Sequence, residues 1–112
     1  TGYGAAWRDA ALHDWGGGDL ADVAAGARFL ASLPEVDAGR IGVMGASYGG
    51  FMSYLAAVRE PELFRVSVPI VGITDLLRLY EENEEALRYY LRQQVGDPEE
   101  NRALGVDRSA IT

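Results

Sequence analysis

Residues 40–58 constrain this chain more than any other stretch. Arg40-Ile41-Gly42-Val43-Met44 is a short apolar run bounded by glycines, the pattern of a buried parallel strand. Tyr48 to Val58 is apolar nearly all round, with Phe51, Met52, Tyr54, Leu55, Ala56, Ala57 and Val58, so as a helix it must be covered by protein on most sides. Between the two lies Gly45-Ala46-Ser47-Tyr48-Gly49, a G-x-S-x-G sequence in the strand-to-helix context which that motif requires. Its logic is steric. A serine at the tip of a sharp turn is held in a strained backbone conformation, and side chains two residues before and after it would collide. Gly45 and Gly49 are therefore both expected to be obligatory, and Gly50 to let the helix pack close against the strand. Such a turn presents the Ser47 hydroxyl to solvent at the carboxyl end of a sheet. The free backbone N–H of Tyr48, at the start of the helix, can then face a developing oxyanion.

The flanking segments fit the same architecture. Asp19 to Leu33 reads as an amphipathic helix, with Leu20, Val23, Ala24, Ala27, Leu30 and Ala31 on one face. Asp19 is expected at its N-cap, Asp22 suits the first turn, and Pro34 follows the end. Arg65 to Val71 reads as a second strand, although Pro69 inside it lacks a ladder donor. Helix, strand, helix, strand in that order predicts an α/β fold with a parallel sheet and crossover helices. Farther on, Glu82 to Gln94 reads as one surface helix. Its acids come first and Arg88 and Arg92 come later, as the helix dipole favours. Gly96-Asp97-Pro98 then breaks it.

Composition removes whole classes of chemistry. There are no cysteines, which excludes disulfides, thiolate nucleophiles and zinc ribbons and leaves the redox compartment undecided. All ten basic residues are arginine, so Schiff-base catalysis, a serine–lysine dyad and a P-loop lysine are absent. A net charge of -7 argues against a nucleic-acid partner, and no apolar run reaches the ~20 residues of a membrane span. No metal and no cofactor are expected. The chain opens Thr1-Gly2-Tyr3-Gly4 with neither an initiator Met nor a basic apolar leader, so residues 1–112 are expected to be an interior section of a longer chain, incomplete at both ends.

Across essentially its whole length the sequence resembles the catalytic domain of the prolyl oligopeptidase family, especially its acylaminoacyl-peptidase and dipeptidyl-aminopeptidase-like members. The resemblance is carried by Thr1-Gly2-Tyr3-Gly4, by Asp14-Trp15-Gly16-Gly17 with Asp19 and Asp22, and by Arg40 through Met52. It continues through Pro61-Glu62-Leu63-Phe64, Thr74-Asp75, Gly96-Asp97-Pro98-Glu99-Glu100 and Arg108 through Thr112. The hydrolase motif alone does not separate a peptidase from an esterase. The double glycine after Ser47 and the upstream Asp-Trp-Gly do. The resemblance implies a partial α/β-hydrolase fold and a serine peptidase acting on short peptides through an acyl-enzyme. Ser47 would be its nucleophile and the Tyr48 backbone N–H one oxyanion donor, with Gly45, Gly49 and Gly50 as motif glycines. It further implies a triad acid and histidine beyond Thr112, a second oxyanion donor before Thr1, and an isolated segment without activity. A propeller domain elsewhere in the parent chain, a cytoplasmic location and a capacity to oligomerise complete the expectation. A carboxylesterase or acetyl esterase of the same fold, or a non-catalytic packing module, remains the alternative.

Other candidates have plainer readings. His13, the sole histidine, precedes Ser47, whereas the base of this fold comes last in the chain, so it is expected to be a surface or packing residue. Asp75 is expected to cap a helix that begins at Leu76-Leu77 rather than to be a triad acid. Asp14 and Asp19 are expected to form turns and caps. Tyr54, Tyr80, Tyr89 and Tyr90 are expected to pack on helices, and Glu81 to Glu85 to form a solvated helix start.

Overall fold

A computed structural model describes residues 2–111. Thr1 and Thr112, the outer ends of two stretches that carry the resemblance, lie outside the described residues. The elements run α1 (Ala5–Asp9), α2 (Gly18–Ala31), a 3-10 turn (Ala38–Arg40), β1 (Gly42–Ala46), α3 (Tyr48–Arg59), β2 (Val66–Ile70), α4 (Leu76–Glu81), α5 (Glu85–Gln94) and α6 (Arg102–Asp107).

β1 and β2 pair in parallel, with Gly42 opposite Val66 and Ala46 opposite Ile70, and α3 makes the crossover between them. Pro69 stands opposite Gly45, where the ladder lacks a donor; one residue on, the Ser47 N–H donates to the Ile70 carbonyl at 3.0 Å. The proline therefore weakens the pairing at one rung without ending the strand.

α3 supplies the centre of the core. Phe51, Leu55 and Ala56 are fully enclosed, and Trp15, Leu20, Ala27, Ile41, Phe64 and Leu76 gather round them. The buried Ser53 hydroxyl donates to the Gly49 carbonyl at 2.8 Å, and Ser67 of β2 donates to the Ser53 carbonyl at 2.7 Å. Strand and helix are thus joined by a directed bond as well as by packing. α3 is covered on most sides as far as Ala56, while over its last turn Ala57 and Val58 are exposed.

The strands present one partly covered face, with Val43, Gly45, Ser67 and Pro69, and one exposed face, with Met44, Val66, Val68 and Ile70. Nothing among the described residues packs on that second face. The single helix expected over Glu82 to Gln94 is instead two helices, α4 and α5. Asn83 explains the break: its side-chain amide donates to the Leu79 carbonyl at 2.7 Å, taking a backbone acceptor at the end of α4. Arg88 of α5 then donates to the Tyr80 carbonyl at 3.0 Å and the Glu81 carbonyl at 2.7 Å, capping the α4 terminus with positive charge. Glu81 and Glu82 consequently end α4 instead of starting α5.

α2 packs Leu20, Ala24 and Ala27 toward α3, which is the expected face, although Leu30 is exposed. Its start differs from expectation. Gly17 occupies the N-cap, the Asp14 carboxylate accepts the Gly18 N–H at 2.8 Å, and Asp19 lies inside the first turn.

Candidate active site

The turn at Ser47 is a strand-to-helix elbow of the expected kind. β1 ends at Ala46, α3 begins at Tyr48, and Ser47 between them has φ 55° and ψ −113°, a left-handed backbone that L-residues rarely adopt. Its N–H is tied to the Ile70 carbonyl, and its own carbonyl accepts the Phe51 N–H at 2.9 Å. The residue is exposed, and among the described residues nothing hydrogen-bonds its hydroxyl.

The steric demand of the elbow is asymmetric. A Cβ on Gly45 would sit 2.5 Å from the Gly49 carbonyl carbon and oxygen, and one on Gly50 would sit 2.6 Å from Gly72 Cα and 2.8 Å from the Ile70 carbonyl oxygen. Both collisions are with backbone, which cannot swing aside. A Cβ on Gly49 would meet nothing within 4 Å. The expectation that both motif glycines avoid a collision is therefore wrong at Gly49: this residue is the wall that Gly45 faces. Gly50 lets α3 approach closely, as expected, but against the end of β2 and Gly72.

Tyr48 is held at both ends of its side chain. Its ring meets Trp15 edge-on, with centroids 4.7 Å apart, and its hydroxyl donates a short hydrogen bond to the Asp19 carboxylate. The same carboxylate accepts the Gly16 N–H at 3.1 Å and the Leu20 N–H at 2.7 Å. Burial, and then the bond to anionic Asp19, push the Tyr48 phenol well above its ordinary range; Tyr90 and Asp14 add to the effect. As the first residue of α3, Tyr48 has no intrahelical acceptor for its backbone N–H.

The remaining candidates lie apart from Ser47 or are committed elsewhere. The His13 N–H donates to the Gln94 carbonyl at 2.7 Å, beside the end of α5. Asp75 caps α4, accepting the Leu77 and Arg78 N–H groups at 3.0 Å each. Asp14 pairs with Arg108 at 3.3 Å besides serving Gly18. Tyr80 receives a 2.6 Å hydrogen bond from Arg92, and Tyr89 and Tyr90 are exposed on α5. Tyr54 rests against Gly72. Glu81, Glu82 and Glu85 face Arg102, Arg78 and Arg92 at the surface.

Two features escaped the sequence. The Asp19–Tyr48 bond spans 29 positions, and only the tyrosine beside the motif could have hinted at it. Val71, with φ 44°, is an exposed β-branched residue in the left-handed region directly after β2, and no local pattern marks it. Among the described residues no three His, Cys, Asp or Glu side chains gather as a metal site would need, and no helix is long and apolar enough to cross a membrane.

A model of the prolyl oligopeptidase family matches residues 1–112. The chain belongs to that family. Dipeptidyl-peptidase 5 of Porphyromonas gingivalis is 32% identical over 97 residues, covering 87% of this chain and 14% of that protein. The Schizosaccharomyces pombe dipeptidyl-peptidase 5 is 31% identical over 106 residues, covering 93% and 15%. Among solved structures, a puromycin hydrolase superposes with a TM-score of 0.88 at 31% identity, over all of this chain and 17% of that one. The Pyrococcus horikoshii acylaminoacyl peptidase does so with 0.84 at 28% identity, over 98% and 18%. This family member thus spans a small part of the length of the relatives it matches. Its parallel strands, crossover helix and elbow form part of their α/β-hydrolase fold.

Proposed function

We propose that this family member carries the nucleophile of a serine peptidase that cleaves short peptides through an acyl-enzyme on Ser47. The observation that supports this most strongly is the Ser47 backbone, strained and exposed at the end of β1, with the Tyr48 N–H, which has no intrahelical acceptor, next to it. The relatives that the chain resembles support the same reading, since they are dipeptidyl-peptidases and an acylaminoacyl peptidase.

In the proposed reaction the Ser47 hydroxyl gives its proton to a histidine while its oxygen attacks the scissile carbonyl carbon. The Tyr48 N–H receives the resulting oxyanion. Collapse breaks the C–N bond, the histidine returns the proton to the departing amine, and water then hydrolyses the ester to restore Ser47. Neither His13 nor Asp75 contacts Ser47, so the proposed base and acid come from another segment of the full-length protein. Residues 1–112 alone are proposed to be inactive, because an alcohol without a general base is a poor nucleophile at neutral pH.

The test compares hydrolysis of an aminoacyl anilide and a short acyl ester by the full-length protein. Anilide cleavage is expected, with Ser47→Ala lowering kcat by on the order of 10³-fold or more. Ester cleavage with the anilide untouched would favour an esterase instead, and unchanged turnover by Ser47→Ala would overturn the assignment.

A further inference from the structure

We propose that Asp19 is a positioning residue for the elbow, fixing through the Tyr48 hydroxyl the direction of the backbone N–H that meets the oxyanion. This rests on the reading of Ser47 and Tyr48 given above.

Van der Waals contact at Gly45 and Gly50 sets how closely β1, α3 and β2 approach, and the Ser47 carbonyl, which accepts the Phe51 N–H at 2.9 Å, orients the first peptide of α3; the Tyr48 side chain adds a restraint on that peptide from its other end. Tyr48 is the residue whose N–H must be aimed, and its side chain extends to the start of α2. Its ring is bounded by Trp15 at 4.7 Å and Phe51 at 6.0 Å, and its hydroxyl ends on Asp19. The acceptor is itself fixed. Two backbone N–H groups, from Gly16 and Leu20, hold the same carboxylate in the first turn of α2. A fixed anchor, a rigid ring and a short link to Cα leave the Tyr48 peptide little freedom. Aimed donors matter because an oxyanion donor acts through its alignment with charge that develops only in the transition state.

A purely structural role would tie α2 to α3 and affect stability alone. A positioning role lowers kcat at temperatures where the variant is still fully folded and leaves KM nearly untouched. Tyr48→Phe separates these, because it keeps the ring against Trp15 and removes only the hydroxyl. In the full-length protein it is expected to lower kcat about tenfold, less than the 10²- to 10³-fold that follows complete loss of a donor. KM is expected to stay within about twofold, as for an interaction made only in the transition state. Asp19→Asn, which keeps the side-chain shape, is expected to lower kcat in the wild-type background and to add nothing in the Tyr48→Phe background.

Wild-type kcat in Tyr48→Phe would overturn the proposal, as would equal losses from Asp19→Asn in both backgrounds. A kcat loss that disappears when the assay is run well below the variant's melting temperature would assign the pair to stability instead. These outcomes are distinct from failure of the peptidase reading, in which the wild-type protein itself shows no turnover that depends on Ser47.

Discussion

The elbow and the C-terminal third are held together in different ways. Around Ser47, backbone lies directly on backbone: Gly45 on Gly49, and Gly50 on Gly72 and the Ile70 carbonyl. From α4 onward, side chains bridge the elements. Arg88 caps α4, Asp75 starts it, and the Ser109 hydroxyl accepts the Leu76 N–H at 3.0 Å while donating to the Gly105 carbonyl at 2.7 Å. Backbone contacts cannot relax, whereas side chains can rotate. The rigid region is the one that carries the proposed chemistry, where a fraction of an ångström affects reactivity.

One pair of matched substitutions gives the largest expected difference. Gly45→Ala drives a methyl group into the Gly49 backbone and is expected to cost about 3 kcal/mol or more, the upper range of overpacking. Gly105→Ala places its methyl 2.7 Å from Leu77 Cδ2, the far end of a flexible side chain. Its packing cost of about 1 kcal/mol is offset by the ~1 kcal/mol that alanine gains over glycine within a helix, so the net change is expected near zero. Urea unfolding of the two full-length variants checks this. Similar losses in both would remove the distinction between the regions.

Asp75→Ala probes the side-chain-bridged region where a single residue serves two backbone donors. Loss of that cap is expected to cost about 1 kcal/mol, measured in the same unfolding experiment. No change would mean that the Asp75 cap adds nothing to the hold that Ser109 and Arg88 already have on α4.

A smaller effect tests the polar link at the elbow through pH. Tyr48 has a folded-state pKa raised above its unfolded value, so the native state keeps the proton more tightly than the unfolded chain does. Its contribution to stability is fully present below the unfolded value of about 10 and is lost as pH rises above it toward the folded value. The stability advantage of wild type over Tyr48→Phe is therefore expected to shrink from about pH 10 upward. A difference independent of pH through that range would contradict the buried, Asp19-bonded phenol.

Legibility in the sequence follows the same division. β1, Ser47 and α3 could be read because a run bounded by glycines and a strained turn obey short-range steric rules. Gly45 and Gly50 fit those rules. Gly49 shows their limit, since which member of a contacting pair needs to be glycine depends on the direction of approach. The acid-first, base-later pattern from Glu81 to Arg92 looked like one dipole-matched helix. It was misleading because Asn83 and Arg88 satisfy α4 carbonyls, a choice that charge order does not encode. α1 and α6, at 5 and 6 residues, are too short for a periodic signal. Local spacing favours a cap at Asp19; its bond to Tyr48 depends on how α2 packs on α3. Met44, Val66, Val68 and Ile70 lie on a strand face that nothing among the described residues covers; hydrophobic pattern reports what a face requires and not what covers it.

The most direct measurement is labelling of the full-length protein with a serine-directed fluorophosphonate, followed by peptide mapping. The adduct is expected on the peptide containing Ser47 and is expected to be absent from Ser47→Ala. A full-length protein that stays unlabelled, or a Ser47→Ala variant labelled as fully as wild type, would contradict the assignment of Ser47 as the nucleophile.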